Sequence, residues 1–170
     1  MDLKARLRTV QDFPKKGIAF IDITPLLAHG KAFQHAVDQL AVRFADCGAS
    51  KILAAEARGF ILGAALAYKM GLGFIPVRKH GKLPWTTTSV TYQLEYGTDT
   101  LCMHTDAIDK GERILIIDDV LATGGTMQGM IKLVETSGGV VAGIGLLIEL
   151  SFLKGAEKLP GYDLNCLIRL

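Results

Sequence analysis

Four short apolar runs recur along the chain, at residues 52–55, 74–77, 114–117 and 140–148. Each run is continuous rather than alternating, which is typical of strands covered on both faces, as in a parallel sheet. Apolar residues at three- and four-residue intervals, or Ala/Leu-rich stretches that end near glycine, predict helices between them, over residues 32–44, 60–70 and 127–134. This alternation predicts an α/β fold: an open, mainly parallel, twisted sheet flanked by helices, with ligands bound beyond the carboxyl ends of the strands.

Two segments depart from the alternation. Phe13-Pro14 and Thr24-Pro25 interrupt the start of the chain, so we expect residues 1–30 to form a small N-terminal cap, or hood, rather than a crossover unit. Residues 79–99 form a long excursion with the alternation of a hairpin. Excursions of this length in a compact domain are commonly active-site lids, and we interpret this one as a flexible lid. We find no repeat or linker, so the sequence predicts one domain over residues 1–170.

Composition narrows the class of protein. A chain of 170 residues with 49% hydrophobic and 21% charged residues can form a core without disulfides or metals. A net charge of +2 argues against a nucleic-acid partner. No apolar stretch approaches the 18 or so residues that span a bilayer, and residues 1–6 lack the apolar core of a signal peptide, so we expect a soluble, cytoplasmic chain without membrane contact. Cys47, Cys102 and Cys166 have neither disulfide-framework nor zinc spacing.

The most informative segment is residues 114–127. Four aliphatic residues predict a buried strand, and Asp118 and Asp119 are expected where that strand leaves the core. The small and hydroxyl-bearing residues that follow open a helix, so that backbone N–H groups and hydroxyls can converge on one anion: Ala122, Thr123, Gly124, Gly125 and Thr126. The Walker pattern is absent. Two carboxylates beside an anion site make sense if they accept hydrogen bonds from sugar hydroxyls or meet a metal-bearing ligand.

A Gly-Gly turn after a strand is by itself more often an ordinary turn, with Asp119 as a helix cap. The strand, the acid pair and the Thr-Gly-Gly-Thr loop together resemble the signature of the type I phosphoribosyltransferases, which use 5-phosphoribosyl 1-pyrophosphate (PRPP). The resemblance implies that Asp118 and Asp119 bind the ribose hydroxyls and that residues 122–126 bind the 5-phosphate. It also implies Mg²⁺ as a cofactor, held mainly through PRPP and pyrophosphate rather than by protein ligands.

Other segments resemble the branch of this family that acts on adenine: residues 13–27, 56–60 and 92–97, together with 149–150 and 153–155. This likeness implies transfer of the phosphoribosyl group from PRPP to N9 of adenine, giving AMP and pyrophosphate, a step of purine salvage. Phe20 and Leu150 would then stack on the two faces of adenine, while Ile18 and Ala19 offer backbone groups to its edge. Without the flanking motif, the plainer interpretation of Phe20 and Leu150 is that they are core residues.

The same likeness assigns the leaving group and the lid. Residues implied to meet pyrophosphate are Ala57, Arg58, Arg78, Lys79 and Lys82, with a cis peptide expected between Ala57 and Arg58. Glu95 on the lid is implied as the acid/base for an adenine ring nitrogen. The plainer alternatives are solvated basic side chains and a solvent-facing strand residue at Glu95. Relatives act as homodimers, so we expect a homodimer here.

The sequence departs from the family pattern at a few positions and leaves three alternatives open. Ile21 stands where many relatives carry a basic residue, Cys102 and Met103 occupy a stretch where an acid is frequent, and Thr91 replaces a common serine. The alternatives are the same chemistry on hypoxanthine, guanine or xanthine, a regulatory protein that senses PRPP or a nucleotide, and a scaffold without turnover.

Overall fold

The computed structural model describes residues 1–93 and 97–170. In chain order its strands are β1 (Arg8–Gln11), β2 (Ala19–Asp22), β3 (Lys51–Ala55), β4 (Gly73–Lys79), β5 (Thr87–Gln93), β6 (Thr98–His104), β7 (Arg113–Leu121), β8 (Val140–Glu149) and β9 (Leu164–Arg169). Its α-helices are α1 (Thr24–Ala28), α2 (Gly30–Arg43), α3 (Arg58–Met70) and α4 (Gly125–Thr136). Short 3₁₀ turns lie at Lys4–Arg6, Ser151–Leu153 and Gly155–Lys158.

Seven of the described strands form one open sheet in the order β5-β6-β4-β3-β7-β8-β9. The five strands from β4 to β9 in that order pair in parallel, whereas β5 and β6 form an antiparallel hairpin that joins the sheet through β4. The remaining two strands, β1 and β2, form a separate antiparallel pair. The predicted open, mainly parallel α/β sheet is therefore confirmed, and the excursion at 79–99 leads into the β5–β6 hairpin.

Helices cover both faces of the sheet because its central strands are apolar on both sides. From β7, Leu115 and Ile117 pack into a cluster with α2 and α3, whereas Ile114 and Ile116 pack into a second cluster with α4. All four side chains are fully buried. Burial of one such side chain contributes about 1.5–3 kcal/mol, so β7 anchors the chain segment that follows it.

The predicted strands and helices are all present, with ends that differ by a few residues. Strands β1 and β2 lie in the segment predicted only as a hood, and β9 has no sequence prediction because its burial is partial and its segment is mixed in polarity. Strand β7 is also longer than expected: it continues through the two acids to Leu121. No helix in the described part of the chain is both long and apolar enough to cross a membrane.

Glu112, immediately before β7, forms a polar anchor for this end of the strand. Its carboxylate accepts hydrogen bonds from Ser50 Oγ at 2.6 Å, Lys51 Nζ at 2.9 Å and the Asp109 amide at 3.0 Å. Burial acts to raise the pKa of Glu112, but these three hydrogen bonds outweigh it and lower the pKa to about 2. The carboxylate is therefore charged in the folded protein at any ordinary pH.

Candidate functional site

A cavity of about 540 Å³ opens at the carboxyl ends of the central strands. This size lies within the range of small-molecule sites. Its lining brings together most of the residues singled out in the sequence: Ile18, Ala19, Phe20, Ala57, Arg58, Asp118, Asp119, residues 122–126 and Leu150. Residues far apart in sequence meet here because β3, β7 and β8 end at the same edge of the sheet.

The acid pair lies inside strand β7, and the expectation that the acids stand where the strand leaves the core was wrong. The exposed fractions of Asp118 and Asp119 are 9% and 6%; both lie in the part of β7 that runs beyond its pairing with β3 and stays paired with β8 as far as Leu121. Burial, together with the charge of Asp119, raises the pKa of Asp118 well above its usual value. Two carboxylates this close and this buried resist simultaneous ionisation.

Arg58 is the cation that faces this pair. Its Nε lies 2.8 Å from Asp119 Oδ2, and its guanidinium lies 5.0 Å from the centre of the Phe20 ring. Burial raises the pKa of Asp119, and the charge of Arg58 opposes that rise. Oδ2 of Asp119 is buried and receives no well-aligned hydrogen bond from the part of the chain that the structure describes. A buried acceptor of this kind is suited to a ligand that carries donors.

The turn that presents Arg58 is built by close backbone packing. Arg58 begins α3, and a Cβ on the next residue, Gly59, would lie 2.7 Å from Asp118 Oδ1, so only glycine lets the helix start this close to the acid. Gly59 had no predicted role of its own. The cis peptide joins Glu56 and Ala57, one bond earlier than the family likeness led us to expect.

The candidate phosphate loop runs from β7 into α4. Gly124 has φ of +87°, a left-handed conformation that favours glycine, and α4 begins at the next residue. A Cβ on Gly124 would lie 2.9 Å from the carbonyl oxygen of Gly155, and a Cβ on Gly155 would lie 2.3 Å from that of Ala122. The loop is thus braced by the 3₁₀ turn at Gly155–Lys158. The first N–H groups of α4 lack acceptors within the helix and face the cavity with the positive end of its dipole.

Gly155 is a functional neighbour that the sequence analysis did not assign. Lys154 adopts φ of +55°, so the chain turns sharply just before Gly155. Leu150, before this turn, donates its N–H to Leu121 O at 2.9 Å. That bond ties the candidate base-stacking residue to the end of β7.

The hood hairpin β1–β2 supplies the other apolar wall. The Phe20 ring contacts Phe13 edge to face, with centroids 5.2 Å apart. The Ile18 N–H donates to Lys15 O and its carbonyl accepts from the Phe13 N–H, both at 3.2 Å. The turn therefore already uses the Ile18 N–H, and its carbonyl keeps one lone pair for a ligand. Ile21 lines the cavity and also packs into the α2–α3 core cluster.

The basic residues at the end of β4, Arg78 and Lys79, and Lys82 just after it, are absent from the cavity lining. Arg78 donates from Nε and Nη2 to Glu56 Oε2, at 3.2 and 3.0 Å, and from Nη1 to the Lys82 carbonyl. Lys79 Nζ lies 3.1 Å from Asp99 Oδ2. A hydrogen bond from the Lys79 amide, followed by those from Arg78, lowers the pKa of Glu56 despite partial burial. The structure thus brings Arg58 and Ala57 to the cavity but not Arg78, Lys79 or Lys82, whose pyrophosphate role stays a prediction.

Two other assignments complete the set. Glu95, the predicted lid acid/base, lies outside the described residues. Within residues 1–93 and 97–170, no group of three or more His, Cys, Asp or Glu side chains could hold a metal ion.

Comparison with known proteins gives consistent results. The family model described as a phosphoribosyl transferase domain matches residues 27–167. The chain is 60% identical to an adenine phosphoribosyltransferase of Solidesulfovibrio magneticus over 100% of this chain and 99% of that protein. It is similar to the crystal structure of adenine phosphoribosyltransferase from Thermoanaerobacter pseudethanolicus, with TM-score 0.96, 52% identity and coverage of 99% and 98% of the two chains. It also resembles the Giardia lamblia enzyme complexed with 9-deazaadenine, with TM-score 0.93, 36% identity and coverage of 99% and 96%.

Proposed function

Because the chain belongs to the phosphoribosyltransferase family, we propose that its cavity transfers the 5-phosphoribosyl group from PRPP to N9 of adenine, giving AMP and pyrophosphate. One observation carries the assignment to this site. A helix N-terminus, a buried acid pair and two apolar walls line a single cavity of about 540 Å³, in the arrangement that a phosphate, a ribose and a flat base require. The reaction is that of a pentosyltransferase of purine salvage.

The 5-phosphate is held by the loop at residues 122–126. The amides at the start of α4 and the hydroxyls of Thr123 and Thr126 supply donors, and the helix dipole adds positive potential. No lysine side chain lines this part of the cavity among the described residues. A phosphate monoester can be bound by such dipoles and hydroxyls, and the rigid brace at Gly155 keeps them in place.

The ribose is held by Asp118 and Asp119. The 2- and 3-hydroxyls of the sugar are donors, and Asp119 Oδ2 is a buried acceptor without an aligned donor. When the sugar occupies this acceptor, Arg58 is released from its 2.8 Å ion pair and can turn to the pyrophosphate. The exchange puts the guanidinium where negative charge develops as the C1–O bond breaks.

Adenine is held between Phe20 and Leu150, both of which line the cavity. Arg58 lies over the face of Phe20, so its movement toward the pyrophosphate also clears the stacking surface. Backbone groups of Ile18 and Ala19 read the base edge, because a base with a carbonyl in place of the amino group leaves a buried polar group unpaired, at a cost of about 1–3 kcal/mol. N9 then attacks C1 as pyrophosphate leaves, with inversion at that carbon. Glu95 acts as the acid/base for the proton that the adenine ring gives up.

Mg²⁺ fits this site as a companion of PRPP. The part of the chain described here offers no cluster of three protein ligands, and the acid pair is turned toward sugar hydroxyls and Arg58, so the diphosphate oxygens would hold the ion with Asp118 and Asp119 as the nearby carboxylates. When bound, Mg²⁺ offsets the charge of the departing pyrophosphate. We also propose that Arg78, Lys79 and Lys82 add positive charge for that leaving group.

We propose that the working form is a homodimer. On the outer face of α3, the side chains of Ile61 and Tyr68 are 43% and 91% exposed. A second subunit would cover this apolar and aromatic surface. Size-exclusion chromatography with light scattering should give twice the 18.3 kDa chain mass. A monomer at micromolar concentration would reject this assignment without affecting the catalytic one.

The test of the function is pyrophosphate release with PRPP and Mg²⁺ while adenine, hypoxanthine, guanine, xanthine, orotate and uracil are offered in turn. Turnover with adenine alone supports the proposal. Turnover with a different base moves the assignment to that base, and binding without turnover identifies a sensor or an inactive scaffold. A crystal grown with AMP should show its phosphate against residues 123–126, and a phosphate elsewhere would overturn the site.

A further inference from the structure

Strand β5 is seated on helix α4 beside the phosphate loop. Gly125 and Gly129 lie one turn apart on α4, and the ring of Tyr92 packs against both. A Cβ on Gly129 would lie 3.2 Å from Tyr92 Cδ1, and a Cβ on Gly125 would lie 2.6 Å from the Gln93 carbonyl oxygen. The two glycines therefore form a notch on α4, and strand β5 can approach it because neither residue has a side chain.

The hydroxyl of Tyr92 extends from this notch to the loop. Thr126 Oγ1, a candidate phosphate donor, donates to the Tyr92 hydroxyl at 3.4 Å. Directly across the hairpin from Tyr92 lies Asp99, which accepts from the Thr100 amide at 2.8 Å and pairs with Lys79 at 3.1 Å. Burial acts to raise the pKa of Asp99, but hydrogen bonds from Lys79, the Thr100 amide and Tyr92 outweigh it, and the pKa is lowered.

We propose that Tyr92 is a positioning residue for binding of the 5-phosphate, a role that rests on the proposed function. Its ring, held in the Gly125–Gly129 notch, fixes the first turn of α4, and its hydroxyl fixes the Thr126 side chain. The pairing of Asp99 with Lys79 holds the opposite strand of the hairpin. When Thr126 turns its single proton to a phosphate oxygen, the Tyr92 hydroxyl turns its one proton from Asp99 to Thr126 Oγ1, so the contact between Tyr92 and Thr126 persists with its direction reversed.

Two variants remove different parts of this arrangement. Tyr92→Phe keeps the ring and deletes the hydroxyl. Gly129→Ala places a methyl group against the ring, while alanine favours a helix more than glycine does, so α4 is not weakened by its own propensity. The matched control is Thr91→Val, which removes the 3.0 Å hydroxyl contact between Thr91 and Thr100 on the same hairpin but away from α4.

The experiment measures affinity by calorimetric titration with ribose 5-phosphate, and separately with pyrophosphate plus Mg²⁺. Neither ligand contains a base, so the result is independent of which base the enzyme uses. Tyr92→Phe and Gly129→Ala should each weaken ribose 5-phosphate binding roughly three- to tenfold, leave pyrophosphate binding unchanged, and raise KM for PRPP with little change in kcat. Thr91→Val should stay within about twofold of the parent protein.

Three outcomes would overturn the proposal. The first is an unchanged or tighter affinity of both variants for ribose 5-phosphate. The second is an equal loss for pyrophosphate, which would indicate general disruption of the site. The third is a loss in Thr91→Val as large as in Tyr92→Phe, which would show that the hairpin's stability alone is responsible. If adenine proves not to be the base, only the proposed function fails, since these titrations still report on Tyr92.

Discussion

Replacing Gly124 with alanine should impair the phosphate loop through two separable effects. The residue has φ of +87°, and an alanine held in the left-handed region costs about 1–2 kcal/mol. The new Cβ would also lie 2.9 Å from the Gly155 carbonyl oxygen, a backbone atom that cannot rotate away. Overpacking of this kind costs about 1–3 kcal/mol unless the loop moves. Relief of this contact requires backbone movement, which would displace the loop amides.

Gly71 provides a matched control for the first effect. It follows α3 with φ of +68°, and a Cβ there would meet nothing within 4 Å. Gly71→Ala therefore carries the conformational cost without the clash. For a domain of this size each kcal/mol lowers the melting temperature by about 2–4 °C. Both variants should melt at lower temperature than the parent protein, and Gly124→Ala should melt at or below the temperature of Gly71→Ala.

The decisive measurement is KM for PRPP in steady-state pyrophosphate release, with melting followed by circular dichroism. Gly124→Ala should raise KM for PRPP by roughly tenfold or more, since displaced amides lose charge-assisted hydrogen bonds, each of which contributes about 1.5–3 kcal/mol. Gly71→Ala should leave KM unchanged. If the two variants lose the same stability and both keep the parent KM, then Gly124 is needed only for its turn, and the argument that the Gly155 brace positions the phosphate donors is refuted.

Converting Asp118 and Asp119 together to asparagine should raise KM for PRPP by roughly tenfold or more in the same assay, because two sugar-hydroxyl acceptors are weakened; unchanged kinetics would remove the ribose assignment. Glu95→Gln should lower kcat by a larger factor than it changes KM for PRPP or for adenine. A loss of stability with normal specific activity would instead indicate a structural residue. Arg58→Met removes the charge that opposes the rise in the Asp119 pKa. As pH is lowered, PRPP affinity should therefore begin to fall at a higher pH than in the parent protein, and an unshifted profile would contradict this pairing. Glu112→Gln should destabilise the fold at pH 7 by about 2 kcal/mol after solvent screening, measured by urea unfolding. Because the pKa is about 2 when folded against 4.5 otherwise, this contribution is complete above pH 4.5 and is lost as pH falls toward 2, so an equal difference at pH 3 and pH 7 would refute it.

The central layers of the fold could be predicted because their signal is local. Continuous apolar runs gave β3, β4, β7 and β8, and the three longer helices followed from spacing and terminal glycines. The partial burial of β9 gives it no comparable run. The acids could be found but their burial could not, because it depends on strands that pack against β7 from distant parts of the chain.

The residues in and around the cavity also divide into those that could be predicted from the sequence and those that could not. The residues at 118–126 are contiguous and carry a recognisable pattern, so their presence together at one cavity could be predicted from the sequence. Gly59 closely approaches Asp118, 59 residues later in the chain, and Gly155 closely approaches Ala122, 33 residues earlier. A lone glycine in the sequence carries no sign of what it touches. The positions of Arg78 and Lys79 are fixed by Glu56 and Asp99, partners that the spacing of charges along the chain did not reveal.

The hood hairpin has a consequence for how such an enzyme could acquire a new substrate. Within the described residues β1 and β2 pair only with each other, whereas Asp118 and Asp119 belong to the seven-stranded sheet. Under the proposed function, the base edge is therefore contacted by one hydrogen-bonded unit and the ribose by another. Grafting residues 8–22 from a relative with another purine preference should change which base is accepted and leave KM for PRPP unchanged.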